Sequence, residues 1–298
     1  MSEARAIGER ADWERHTFRF VHQRWFHVWL LTAGITVALL ISYDVVENAT
    51  LIPGMMLFGA LSGSMAFAIF ISDRLDLRGV VPFETVAATV LYGGAIGIFF
   101  GGLLDMLIID DPTSLKIFWV GPIEETAKLV LPVAIWLSGR HRSPRAGLVL
   151  GLASAAGFAV LESMGYGYNA LTTADGTLDH AALVPVQRGM MAPFGHLAWT
   201  GTATIVLWTE WQRRDRFTVN ARVLGVLFTV MALHSINDFV SFQAPATKAL
   251  VLATPFISIG SYLIFKFHAR ELTPPGHAGN VPPGWRRHRD HSDADTSV

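Results

Sequence analysis

Eight apolar runs of about 20 residues follow one another along this chain, roughly at 27–46, 54–72, 84–109, 115–137, 145–170, 192–211, 221–242 and 248–268. A run of that length spans the hydrocarbon core of a bilayer as an α-helix, and in lipid the backbone has to satisfy its own hydrogen bonds. The sequence therefore predicts an all-α, polytopic transmembrane helix bundle with about eight spans. A soluble core is excluded by the same pattern, with 51% hydrophobic residues and a positive mean hydropathy of +0.39. The net charge of −1 offers no concentrated basic surface, which argues against nucleic acid as a partner. The absence of cysteine removes disulfides, thiolate metal sites, a Cys nucleophile and palmitoyl anchors.

The loop charges set the orientation. Lys and Arg number five in the N-terminal segment, two at 73–83, three at 138–146, four at 212–222 and five from Lys266 onward, while the alternate loops carry only Lys116, Arg188 and Lys248. By the positive-inside rule both termini are cytoplasmic. Three regions are expected: a cytoplasmic N-terminal segment 1–26, a transmembrane domain 27–268 with its core at about 115–242, and a disordered cytoplasmic tail 269–298 rich in Pro, Gly, His and charge. No short apolar core with a small-residue cleavage site precedes the first span, which is expected to stay as an anchor. Gly93, Gly94, Gly97, Gly101 and Gly102 in the third run predict close helix packing.

Against this apolar background the fourth run contains Gly121-Pro122-Ile123-Glu124-Glu125-Thr126-Ala127-Lys128. Each charge near the bilayer centre costs about 2.5–3.5 kcal/mol, so such a turn marks a functional site. At helical spacing Lys128 is one turn from Glu124, with Glu125 about 100° around the helix. Counting about 1.5 Å per residue from the outer surface brings the other intramembrane ionisable groups to the same layer. They are Glu162 in the fifth run, His196 at the start of the sixth, and His234 with Asp238 in the seventh. His234 and Asp238 are four residues apart, so the carboxylate can orient the imidazole or share a ligand with it. Phe158, one turn before Glu162, is expected to keep the site dry. The outer loop 171–191, with Asp175, Asp179, His180 and Arg188, is read as a connector. Asp44, Glu47, Asp105 and Glu210 fall near span ends, where water is in reach.

Clustered Glu, His and Asp in a shielded cavity permit a carboxylate to activate water, or a metal to do so. Both routes hydrolyse amides. The known intramembrane alternatives fail by motif: there is no His-Glu-x-x-His, Ser62-Gly63 lies far in sequence from any intramembrane His, and Tyr43-Asp44 lacks a Gly-x-Gly-Asp partner. The rival class is a proton- or ion-coupled transporter using the same relay, which predicts repeated halves that this sequence does not show. A catalytically inert helix-binding scaffold is the third reading.

Four motifs, Glu124-Glu125-x-x-Lys128, Phe158-x-x-x-Glu162, His196-x-x-x-Thr200 and His234-x-x-x-Asp238, occur in order on successive spans. Together they resemble the PrsW family of intramembrane proteases, relatives of the CAAX prenyl endopeptidases and the bacterial Abi-type membrane proteins. The resemblance covers about 115–242. It implies that Glu124 activates water with support from Glu125, that Glu162 helps position the water or a metal, and that His234 with Asp238 stabilises the oxyanion. Lys128 and His196 complete the implied catalytic set. In the CAAX relatives the second motif ends in His and the last commonly in Asn, where this chain has Glu162 and Asp238; the metal, for which zinc is the candidate, stays open. The resemblance further implies a multi-pass protein of the bacterial plasma membrane that cleaves a membrane-anchored substrate, such as an anti-sigma factor, near its extracytoplasmic side.

Overall fold

The computed structural model describes residues 21–109, 111, 114–173, 178–243 and 248–272, and among these every regular element is helical. The N-terminal residues 1–20, the tail from 273 onward and the side chains of Asp175, Asp179 and His180 lie outside the described residues. In chain order the helices are α1 (Arg24–Val46), α2 (Ile52–Arg74), α3 (Phe83–Ile108), α4 (Val120–Leu137), α5 (Pro144–Thr172), α6 (Leu178–Met191), α7 (His196–Arg214), α8 (Ala221–Gln243) and α9 (Lys248–Ala269). A 3-10 turn, Arg270–Leu272, carries ordered chain past the boundary expected at 268 and buries Leu272.

The fold is an all-α polytopic membrane bundle. Helices α1, α2, α3, α5 and α8 are each long and apolar enough to cross a membrane, and α5 is the most enclosed of the five. Helices α4, α7 and α9 lie where the remaining three spans are expected. The first two of these carry Glu124, Glu125 and Lys128, and Glu210, Arg213 and Arg214, which lower their apolarity. Around α5 the core forms in two parts. One joins Phe67 and Ile71 of α2, Leu148 and Leu152 of α5, Leu197 and Ile205 of α7 and Phe265 of α9. The other is aromatic, with Trp136 of α4 against Trp208 and Trp211 of α7. The two α7 rings keep their N–H groups paired, Trp208 donating to the His141 carbonyl at 3.0 Å and Trp211 to that of Thr218 at 2.9 Å, while the Trp136 N–H is buried without a partner.

Glycine lets α3 and α5 touch. A Cβ on Gly94 would lie 2.5 Å from the Gly157 carbonyl carbon, and one on Gly157 would run into the Val90 carbonyl oxygen. The expected close packing is thus present at Gly93, Gly94 and Gly97, whereas Gly102 faces open space. The contact falls on a π-helical turn, Thr89–Gly93, which turns the rest of α3 towards the site.

The largest departure from the sequence reading is α6. Residues expected to connect two spans form a helix that descends from the outer end of the bundle between α2 and α5. Gly167 of α5 abuts Ala181 and Pro185, while Gly59 and Gly63 of α2 abut Val186 and Gly189. The chain then breaks at Ala192–Phe194, a 3-10 turn containing Pro193, and restarts as α7 at His196. His196 therefore enters the bundle from the foot of a 14-residue helix rather than from the outer surface. Polar residues within 171–191, Asp175, Asp179, His180 and Arg188, make the segment around α6 read as a connector rather than a helix.

Substituting Gly157→Val overpacks the α3–α5 crossing and should destabilise the protein by about 1–3 kcal/mol or more. Gly102→Ala, with free space around it, should be neutral or stabilising. Thermal unfolding in detergent checks both; equal effects at the two positions would contradict the packing role.

Candidate active site

The geometry of the site starts from two backbone details of α4. Pro132 lies inside the helix and cannot donate to the carbonyl of Lys128 four residues back. Ser154 of α5 replaces that donor, its hydroxyl donating to the Lys128 carbonyl at 2.7 Å. At the other end, the amide of Gly121 has no helical acceptor and donates to the Ser235 hydroxyl at 3.2 Å, which in turn donates to the Phe118 carbonyl at 2.8 Å. Ser235 is the neighbour of His234. A Cβ on Gly121 would clash with the Met231 carbonyl, so glycine is what permits α4 and α8 to approach.

All seven expected residues meet in one contact network. The Lys128 ammonium donates to Glu125 Oε1 at 2.8 Å and lies 3.4 Å from Glu124 Oε2, so it holds both carboxylates, and the closer one is Glu125 rather than the expected Glu124. It also lies 2.9 Å from His196 Nδ1 and 4.1 Å from the centre of the Phe158 ring. His196 Nε2 is 3.0 Å from Glu162 Oε2. His234 Nδ1 is 3.0 Å from Glu125 Oε1, while its Nε2 stands 3.4 Å from both Glu124 Oε2 and Asp238 Oδ2. Glu125, Lys128 and His234 are completely buried.

These distances assign the ring hydrogens. An ammonium only donates, so His196 Nδ1 accepts from Lys128 and its Nε2 carries the hydrogen that faces Glu162. An ionised carboxylate only accepts, so His234 Nδ1 donates to Glu125, which also accepts from the Thr200 hydroxyl at 2.8 Å. His234 Nε2 is left as a buried nitrogen without a hydrogen-bond partner, flanked by two carboxylates.

Four further residues belong to this site. Arg188, from the foot of α6, pairs with Glu162 at 2.8 Å and sits 3.8 Å from the Tyr166 ring centre. Trp199 stacks on His234 with centroids 4.5 Å apart and donates its ring N–H to Ser261 at 2.8 Å. Thr200 fixes Glu125, as above. Asp105, expected to reach water, instead has a buried Oδ1 without a partner and lies within electrostatic reach of His234 and Asp238. Thr200 was visible in the third motif and Trp199 stood within it. Arg188 carried one signal, its position as one of only three cations in the outer loops. A cavity of about 190 Å³ opens beside this network, with Arg188, His196, Trp199, Asn237 and Asp238 on its wall.

A family model described as PrsW family intramembrane metalloprotease matches residues 47–264. The chain belongs to this family. All seven networked residues lie inside the matched stretch, and the PrsW family is one of intramembrane proteases. No curated protein and no solved structure matches the chain. The metal in the PrsW description can be tested against the donors. One ligand atom each from Glu124, His196 and His234 lies within 4.8 Å of the others. The unpartnered His234 Nε2, with Glu125 on its other nitrogen, is the arrangement of a metal-ligating histidine oriented by a carboxylate. Glu124 and His234 thus offer free oxygen and nitrogen donors to a divalent ion of the zinc class, and His196 would join them only by giving up its contact with Lys128 or Glu162.

Replacing Arg188 by Met releases Glu162 and with it the orientation of His196. Cleavage should fall about 10–100-fold while the protein remains folded, and Arg188→Lys should restore only part of it. A cleavage assay run beside thermal unfolding measures this; full activity in Arg188→Met would remove Arg188 from the site.

Proposed function

We propose that this PrsW-family chain is an endopeptidase of the bacterial plasma membrane that hydrolyses a peptide bond of a membrane-anchored protein near the extracytoplasmic side, using water activated by Glu124. The observation that carries this reading is the open His234 Nε2 between the carboxylates of Glu124 and Asp238 at 3.4 Å each. Those two distances exceed the 2.7–2.9 Å of a charge-assisted hydrogen bond, so the three groups converge on a common point without closing on one another. A water and a scissile carbonyl placed there meet a base and a donor together.

Glu124 takes the proton of the water as oxygen adds to the carbonyl carbon, and returns it to the nitrogen as the C–N bond breaks, leaving a carboxylic acid and an amine. His234 as the imidazolium, held by Glu125 through Nδ1–H and by Trp199 across its face, presents its Nε2–H to the developing oxyanion, with Asp238 beside that edge of the ring. Lys128 keeps Glu125 ionised and in place. His196 and Arg188 line the cavity, and Glu162 ties the two together. A membrane-bound regulator such as an anti-sigma factor is the kind of substrate that the PrsW resemblance implies. One observation favours a second route: the donor set described above fits a cation. When a divalent ion is bound, Glu124 and His234 would hold it, joined by His196 once that ring gives up Lys128 or Glu162, and it would supply a polarised water and an electrophile for the carbonyl.

Cleavage of co-reconstituted single-span proteins tests the reading. Glu124→Gln should lower the rate about 10²–10⁴-fold without unfolding the protein. A chelator should leave the rate intact if glutamate alone activates water and abolish it if the ion does. Wild-type cleavage in Glu124→Gln, or proton flux that depends on Glu124 with no protein cut, would contradict the assignment and favour a transporter.

A further inference from the structure

Beside the polar cavity lies a larger, almost wholly apolar groove of about 710 Å³. The two spaces are continuous: Gln187 and Met191 at the foot of α6, Ser241 of α8 and Thr254 and Ser258 of α9 line both. Phe194 and Tyr262 floor the groove with ring centroids 5.8 Å apart. Its mouth opens sideways. Met191 is 50% exposed, Ile259 57% and the neighbouring Phe256 74%, and on a membrane helix such exposure faces lipid. The groove thus leads from the lipid phase to Asp238 and His196 between α8 and α9.

Its chemistry suits a polypeptide better than an acyl chain. A substrate segment must unwind before a peptide bond can be attacked, and its freed amides and carbonyls then need partners inside the membrane. The hydroxyls of Ser241, Thr254 and Ser258 line the passage between the apolar groove and the polar cavity and each can donate or accept. Pro255, also on the wall, has no N–H and leaves the carbonyl at position 251 without its helical donor, a further acceptor along the same helix. A hydrocarbon tail needs none of these groups. The apolar walls accept side chains, and the continuity with the charged cavity sets where the scissile bond comes to rest.

We propose that the groove between α8 and α9 seats an unwound apolar stretch of the substrate's own membrane anchor and delivers the adjoining peptide bond to the cavity at Asp238. The proposal rests on the protease reading and adds where the substrate docks and what it must be, an apolar membrane segment bordering the cleaved bond.

The test uses the full-length Glu124→Gln protein in liposomes with a photoreactive benzoylphenylalanine in place of Ile259, and as control in place of Phe228, which is 75% exposed on another face of α8. The probe is a synthetic leucine-rich peptide of about 20 apolar residues with a polar outer extension. Cross-linking at position 259 should exceed that at 228 by about tenfold, and filling the groove with Ser258→Trp or Thr254→Phe should bring it down to the control value. Equal cross-linking at the two positions would mean that the groove holds only bulk lipid, and an unchanged yield in both filled variants would equally overturn the proposal. Wild-type cleavage of the same peptide, run in parallel, separates the two ideas. Selective cross-linking without cleavage sinks the protease reading, and cleavage without selective cross-linking sinks the docking site.

Discussion

A single ammonium organises the outer half of this bundle. Lys128 is completely buried inside an apolar helix, where a lone cation would cost several kcal/mol, and it is held by Glu125 at 2.8 Å, Glu124 at 3.4 Å, His196 at 2.9 Å and the face of Phe158 at 4.1 Å. These partners come from α4, α5 and α7, and Glu125 passes the connection to His234 on α8. Removing Lys128 leaves the buried carboxylates of Glu124 and Glu125 without their cation in a region of low dielectric, where attraction and desolvation are both large. The geometry of the candidate site and the packing of four helices therefore share one set of interactions.

The backbone around the cluster is irregular where the cluster needs it. Pro132 opens a carbonyl that Ser154 closes, Gly121 offers an amide that Ser235 accepts, and the break at Ala192–Phe194 puts His196 at the start of a helix deep in the bundle. Non-helical backbone at membrane depth survives only when protein or a water-lined cavity surrounds it. The polar cavity lies at that break, and the foot of α6 supplies Arg188 to its wall. The apolar groove beside α6 shares Gln187, Met191, Ser241, Thr254 and Ser258 with that cavity.

Much of this was legible in the sequence because charge is so costly in lipid. The depth count brought Glu124, Glu125, Glu162, His196, His234 and Asp238 to one layer, and the structure joins them with Lys128. What stayed hidden depended on geometry that composition does not encode. Helical spacing allows Lys128 to reach either i−3 or i−4, and the choice of Glu125 follows from where His234 and Thr200 stand across the bundle. The 171–191 segment that holds α6 read as a connector because Asp175, Asp179, His180 and Arg188 interrupt its apolar residues, and so Arg188 read as a loop cation. Asp105 lies near a helix end by count, yet the turn of α3 after its π-helical segment carries it towards the site. The family match, which extends from 47 to 264, reaches well beyond the 115–242 core that the motifs outlined and takes in α2 and α3, which pack on α5, with α2 also against α6.

The central claim, that the Lys128–Glu125 contact carries both fold and site, is tested most directly by a double-mutant cycle on unfolding in detergent. Lys128→Met and Glu125→Gln should each cost about 3–5 kcal/mol, because each strands a buried charge. The double variant should cost well under their sum, with a coupling of about 1–3 kcal/mol. Costs that add to within about 0.5 kcal/mol would show two independent groups and contradict the account.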